Sequence, residues 1–226
     1  MNLHKPWEFL RTRHMLSLLI GSYFGPHPEK EIARIKEFKK ECALFILQET
    51  GINKNDVVLE IGSGNGTISC HIAPKTKELY CCDISRSFLK LAKQECMGIE
   101  NISFHHIQPG SFSFPFLQDR SVDVVFSHNV FIHLNLFDIY WYLKEISRLI
   151  KQGGKLWFDI ADAESLDPAD NPFFNTAVKI YKGSKGEAWP TLMKWNSKTA
   201  VTALAGHFGF KLDHFSLNKV FLFIKQ

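Results

Sequence analysis

Residues Val57-Val58-Leu59-Glu60-Ile61-Gly62-Ser63-Gly64-Asn65-Gly66 constrain this chain more than any other stretch. An apolar, β-branched run holding one acid, fed by the polar turn Asn53-Lys54-Asn55-Asp56, reads as a buried parallel strand. Three glycines then alternate with small polar residues. Without a Cβ the chain can turn sharply there and bring its backbone against a ligand. A helix can open from Thr67. Strand, glycine loop and helix in that order make a nucleotide site at the C-terminal edge of a sheet.

Two other glycine motifs fail on spacing. A P-loop needs a Lys after its last glycine, and none follows. The dinucleotide fingerprint needs its third glycine three residues after the second, where this chain has Thr67. The pattern that remains is acid-x-Gly-x-Gly-x-Gly. A structural glycine turn in some other α/β protein is the alternative that the glycines alone leave open.

The rest of the chain alternates. Glu29 to Gln48 reads as a helix whose apolar face is Ile32, Ile35, Phe38, Cys42, Phe45 and Ile46. Its interleaved Lys30, Arg34, Lys36, Lys39, Lys40 and Glu residues read as a solvated face. Gly51 caps it. Strand two is Glu78 to Ile84, and a helix capped by Ser85 runs to Met97. Strand three is Ile102 to Gln108, and strand four Val122 to Ser127. A helix covers Asn135 to Ile150. Gly153-Gly154 turns into strand five, Lys155 to Ile160. Such alternation demands a parallel sheet with helices on both faces. A helix from Ser197 to Phe208 and two strands, Lys211 to Leu217 and Lys219 to Lys225, close the chain; the short joint favours an antiparallel hairpin.

Two segments break the rhythm. Residues 161 to 196 form an aromatic, proline-bearing insertion. Residues 1 to 28 precede the first helix and hold Met15 to Phe24, an apolar run too short to span a bilayer. We expect an N-terminal cap segment, 1–28, and a main domain, 29–226, with 161–196 inserted as a second cap. A net charge of +4 is too small to argue for nucleic acid. Five cysteines with no C-x-x-C pair argue against a zinc site and suit reduced thiols in a cytoplasm. No acid cluster argues for a metal.

The motif Glu60-Ile61-Gly62-Ser63-Gly64-Asn65-Gly66 resembles the first motif of the class I S-adenosylmethionine-dependent methyltransferases. The resemblance covers roughly residues 40 to 160 by motif and 197 to 226 by topology. It implies a doubly wound α/β sheet of seven strands in the order 3-2-1-4-5-7-6, with only the last strand antiparallel. It also implies the cofactor S-adenosylmethionine, held by Gly62, Ser63, Gly64 and Gly66. Glu60 would hold the cofactor's methionine end. Asp83 closes strand two, 21 residues after Gly62, and would take the ribose hydroxyls. Ile84 would flank the adenine. Many members place an acid after strand three; here Ser111 stands near that position, and Phe112 either contacts the adenine or joins the core. Ser127, His128 and Asn129 would lie near the transferred methyl. His128 and His133 are the candidate general bases.

The implied function is methyl transfer to the oxygen or nitrogen of a small molecule, by in-line displacement that needs alignment more than acid–base chemistry. A non-catalytic sensor of the cofactor, a protein or RNA methyltransferase, and a nicotinamide-dependent oxidoreductase are the alternatives.

Overall fold

The computed structural model describes residues 28–165, 193–216 and 219–226. Its first element is helix α1 (Pro28–Thr50). The helix ends at Gly51, whose φ of +65° only glycine adopts without strain. Lys155 from across the sheet donates to the Thr50 carbonyl at 2.6 Å, placing a cation at the negative end of the helix dipole.

Strands β1 (Val57–Ile61), β2 (Glu78–Asp83), β3 (Ile102–His106) and β4 (Val122–Ser127) are all parallel. Helix α2 (Ser69–Ile72) follows β1, and α3 (Arg86–Glu95) follows β2. Ser85 caps α3 by accepting from the Phe88 amide. After β4, α4 (Leu136–Leu149) leads into β5 (Ile150–Asp159). Two short strands, β6 (Ala161–Asp162) and β7 (Trp195–Asn196), form a separate parallel pair. Helix α5 (Lys198–His207), with Ser197 as N-cap, precedes the antiparallel hairpin β8 (Phe210–Phe215) and β9 (Val220–Lys225).

The main sheet has the order β3-β2-β1-β4-β5-β9-β8. Counted without the β6–β7 pair, this is 3-2-1-4-5-7-6. β9 is antiparallel to both of its neighbours, as the resemblance implies.

The sheet has a core on each face. One joins Leu59, Ile61, Cys82, Val125 and Phe158 to α4 and α5 through Leu143, Ile146, Val201 and Ala205. The other joins Val58, Cys81, Phe126 and Trp157 to Ala43 and Ile46 of α1. Odd and even residues of one strand serve opposite cores, so each apolar run is buried twice over.

Three local expectations need correction. Gly153-Gly154 does not precede strand five but lies inside it. Val122 pairs with Ile150 and Val124 with Lys155, so residues 151–154 form an irregularity there. A Cβ on Gly154 would stand 2.8 Å from the Asp123 carbonyl, so the strand can pass only as glycine. Phe38, expected in the core face of α1, is 47% exposed. Lys39, expected in water, is 5% exposed.

Helix α4 starts with a capping box. Asn135 accepts from the Phe137 and Asp138 amides, and Asp138 accepts from the Asn135 amide. Asn135→Ala leaves those amides to water alone. We expect it to cost about 1 kcal/mol of stability, read as a lower urea midpoint with an unchanged slope.

Candidate active site

The glycine loop turns at the C-terminal end of β1. Gly62, Gly64 and Gly66 have φ of +78°, +55° and +80°. They are not equivalent. A Cβ on Gly62 would stand 2.2 Å from Val130 Cγ2, and one on Gly66 2.8 Å from the Ala92 backbone. Around Gly64 a Cβ would meet nothing within 4 Å. Gly62 and Gly66 are therefore packing glycines, and Gly64 faces open space where a ligand can approach the backbone. Gly64→Ala should fold with a loss of about 1 kcal/mol from the left-handed φ, detectable by thermal melting. The new methyl should project into the ligand space and weaken cofactor binding.

The loop is tied to β2. The Gly62 and Ser63 amides donate to the Cys82 carbonyl at 2.8 and 3.0 Å, and the Gly64 amide to Asp83 at 2.9 Å. The other Asp83 oxygen accepts from the Ser85 amide at 2.8 Å. Asp83 is buried. Burial raises its pKa to about 6, opposed by the Ser85 and Gly64 amides. Each oxygen retains a lone pair for a further donor, as two ribose hydroxyls would supply.

Glu60 is buried on the α1 face of the sheet. Its Oε2 accepts from Ser69 at 2.5 Å and from the Cys81 thiol at 3.2 Å. Burial outweighs both bonds and pushes its pKa up to about 7. Asp159, at the end of β5, is the second buried acid of this edge. Both its oxygens accept from the Asn129 amide, at 2.9 and 3.0 Å, and burial lifts its pKa to about 6. That clamp holds Asn129 at a φ of +59°, leaving its side chain exposed at the end of β4. A non-glycine residue held left-handed at a ligand edge is the kind of strain found at functional sites.

His128 precedes it and stacks on Trp157, with ring centroids 6.2 Å apart. Its Nδ1 and the Trp157 Nε1 are buried and have no hydrogen-bond partner among the described residues. Burial, reinforced by the Lys39 ammonium, pushes the His128 pKa down to about 3. The ring is neutral, a hydrogen-bonding group and a poor store for a proton. His133 ends the turn Phe131–His133, half-buried. Ser127 reaches the edge, but its buried hydroxyl donates to the Ile61 carbonyl at 2.8 Å and ties β4 to β1. Ile84 is half-buried beside the core. Ser111 is exposed. Phe112, at a φ of +47°, packs edge-on against Tyr142 at 5.0 Å.

The ends of the insertion meet here as well. The Lys194 amide donates to the Ile132 carbonyl at 2.7 Å, and Asn196 to the Leu134 carbonyl at 2.9 Å. They stitch β7 to the segment after β4. Residues 166–192 lie outside the described residues, as do residues 1–27, so the expected aromatic cap does too.

Sequence reasoning missed two groups of this edge, Lys39 and Asp159. Lys39 stands four residues after Ile35 and four before Ala43, on the buried stripe. Asp159 closes an apolar strand with an acid, the grammar that marked Glu60 and Asp83.

The Ser63 hydroxyl, buried and without a partner among the described residues, and the open space at Gly64 fit a polar ligand lying along the loop. Residues 58–154 match a family model described as a methyltransferase domain. The demethylmenaquinone methyltransferase of Tropheryma whipplei strain Twist is 29% identical over 106 residues, 47% of this chain and 42% of that protein. The malonyl-[acyl-carrier protein] O-methyltransferase of Marinomonas sp. strain MWYL1 is 29% identical over 143 residues, 61% of this chain and 50% of that protein. The chain spans about half the length of these relatives or less. Magnesium protoporphyrin IX methyltransferase from Synechocystis PCC 6803, solved with bound S-adenosylhomocysteine, superposes with a TM-score of 0.68 at 12% identity, covering 98% of this chain and 99% of that one. Residues 58–154 thus resemble a methyltransferase domain, and the chain has the fold of the class I S-adenosylmethionine-dependent methyltransferases.

Proposed function

We propose that the chain binds S-adenosylmethionine and transfers its methyl group to a small-molecule acceptor. The observation that carries this is the Asp83 clamp: one buried carboxylate fixes the glycine loop through the Gly64 amide and keeps acceptor capacity for a ribose. When bound, the cofactor supplies an electrophilic methyl on a good leaving group. The residues of this chain bind, orient and exclude water. Asp83 and the loop hold the nucleoside. Ile84 and Phe112 border the adenine, and Ser111 offers a hydroxyl where relatives of this fold often carry an acid. Glu60, Ser63 and the edge of β4 meet the amino-acid end. We place the acceptor over His128, Asn129 and His133, at the root of the inserted segment.

The low basicity of His128 favours an acceptor that needs no strong base. His128 would then orient the nucleophile by a hydrogen bond, and His133 is the remaining candidate for moving a proton. The relatives' names span a quinone, a carrier-bound acyl group and a porphyrin. That range supports a low-molecular-weight acceptor group and leaves oxygen, nitrogen or carbon open as the methylated atom. Among the described residues no helix is long and apolar enough to cross a membrane, and no three His, Cys, Asp or Glu side chains come together as a metal site.

Calorimetry with S-adenosylmethionine, S-adenosylhomocysteine and NAD tests the cofactor. Heat from NAD alone would sink the reading. Formation of S-adenosylhomocysteine in the presence of candidate metabolites then separates an enzyme from a sensor.

A further inference from the structure

We propose that Lys39 receives the carboxylate of the cofactor's amino-acid end, reaching it from α1 at the edge of the sheet; this rests on the cofactor reading above. Lys39 lies on the buried stripe of α1 with Ile35, Ala43 and Ile46, yet it has no hydrogen bond or ion pair among the described residues. A buried ammonium without a partner is costly, and an apolar side chain would suit the stripe better. Packing therefore does not explain the residue.

Nor does pairing within the protein. Its charged neighbours Asp159 and Glu60 are engaged elsewhere, with the Asn129 amide and with Ser69 and Cys81. Burial lowers the Lys39 pKa more than these acids raise it. An incoming carboxylate would relieve that deficit.

The glycine loop itself is short of donors. The amides of Gly62 and Ser63 go to Cys82, that of Gly64 to Asp83, that of Gly66 to Ser63 and that of Thr67 to the Asn65 side chain, which leaves the neutral Asn65 amide. A carboxylate arriving at the loop must find its cation elsewhere, and the unpartnered Ser63 hydroxyl can add one bond. The charges match in number. The site holds two acids, Glu60 and Asp159, and one ammonium. The sulfonium amino acid carries two cations and one carboxylate.

The test compares S-adenosylhomocysteine with its decarboxylated analogue, which differs only by the carboxylate, on the wild type and on Lys39→Met. The wild type should bind the decarboxylated analogue at least ten-fold more weakly. Lys39→Met should lose at least ten-fold for S-adenosylhomocysteine and nothing for the analogue, so that the two ligands become equal. The ligand-free variant should melt higher than the wild type, because a buried unpaired charge is gone. Lys39→Gln, which keeps a polar end without the charge, should behave as Lys39→Met does. A wild type that binds both ligands equally, or a variant that weakens both alike, overturns the proposal. A wild type that binds neither overturns the cofactor reading itself.

Discussion

Replacing Asp83 by alanine should weaken S-adenosylhomocysteine binding by about 1.5–3 kcal/mol, the range for hydrogen bonds to a charged group. Calorimetry on the folded variant measures it. The clamp geometry adds a second consequence. Asp83 holds the Gly64 and Ser85 amides, one on each oxygen. Alanine leaves both without an acceptor, so unfolding in urea should show a loss of about 1–3 kcal/mol. Asp83→Asn keeps one acceptor oxygen and should lie between. The wild type should also lose affinity as pH falls through about 6, where the buried carboxylate takes up its proton. An unchanged dissociation constant in a folded Asp83→Ala variant would place the ribose elsewhere.

The topology was legible because its signals are local and repeated. Strands β1, β4 and β5 carry β-branched or aromatic runs, helices α3, α4 and α5 open on Ser85, Asn135 and Ser197, and Gly51, Gly98 and Gly209 follow helix ends with φ of +65°, +87° and +77°. The glycine-loop half of the proposed site was legible for the same reason: Glu60, the three glycines and Asp83 sit in one continuous stretch from β1 through the loop to the end of β2. The part of that edge built by α1 and by the ends of β4 and β5 was not. Lys39 reads as one more charge in a mixed helix until Ile35, Ala43 and Ile46 are seen buried around it. Asp159 looks like a strand end until the Asn129 amide is found on it. Ser127 shows the converse. It stands at the right edge, but its hydroxyl is spent on the Ile61 carbonyl, a contact 66 residues apart that no periodicity announces.

The same burial makes the ligand-free protein sensitive to alkali, and Glu60 should dominate. Its pKa rises from 4.5 to about 7 on folding. A carboxyl with a raised folded pKa favours the fold in its protonated form. That contribution is complete below about 4.5 and is lost as pH rises through about 7. At 1.36 kcal/mol per unit the loss is on the order of 3 kcal/mol. Glu60→Gln tests it cleanly. Ser69 and Cys81 both donate to one oxygen, so the amide oxygen can replace it and the amide nitrogen can stand where the protonated oxygen was. Ligand-free Glu60→Gln should match the wild type near pH 4.5 and exceed it increasingly towards pH 8, by up to about 3 kcal/mol in urea unfolding. Asp83 and Asp159 are raised in the same direction and remain in both proteins, so the difference between the two curves isolates Glu60. A cationic ligand should reverse the penalty, since it meets the ionised carboxylate. Wild-type affinity for S-adenosylmethionine should therefore rise between about pH 6 and pH 8 more steeply than that of Glu60→Gln. Stability curves that stay parallel across this window would show that Glu60 ionises in the folded chain at the ordinary pH of a glutamate, and that its burial is relieved by water.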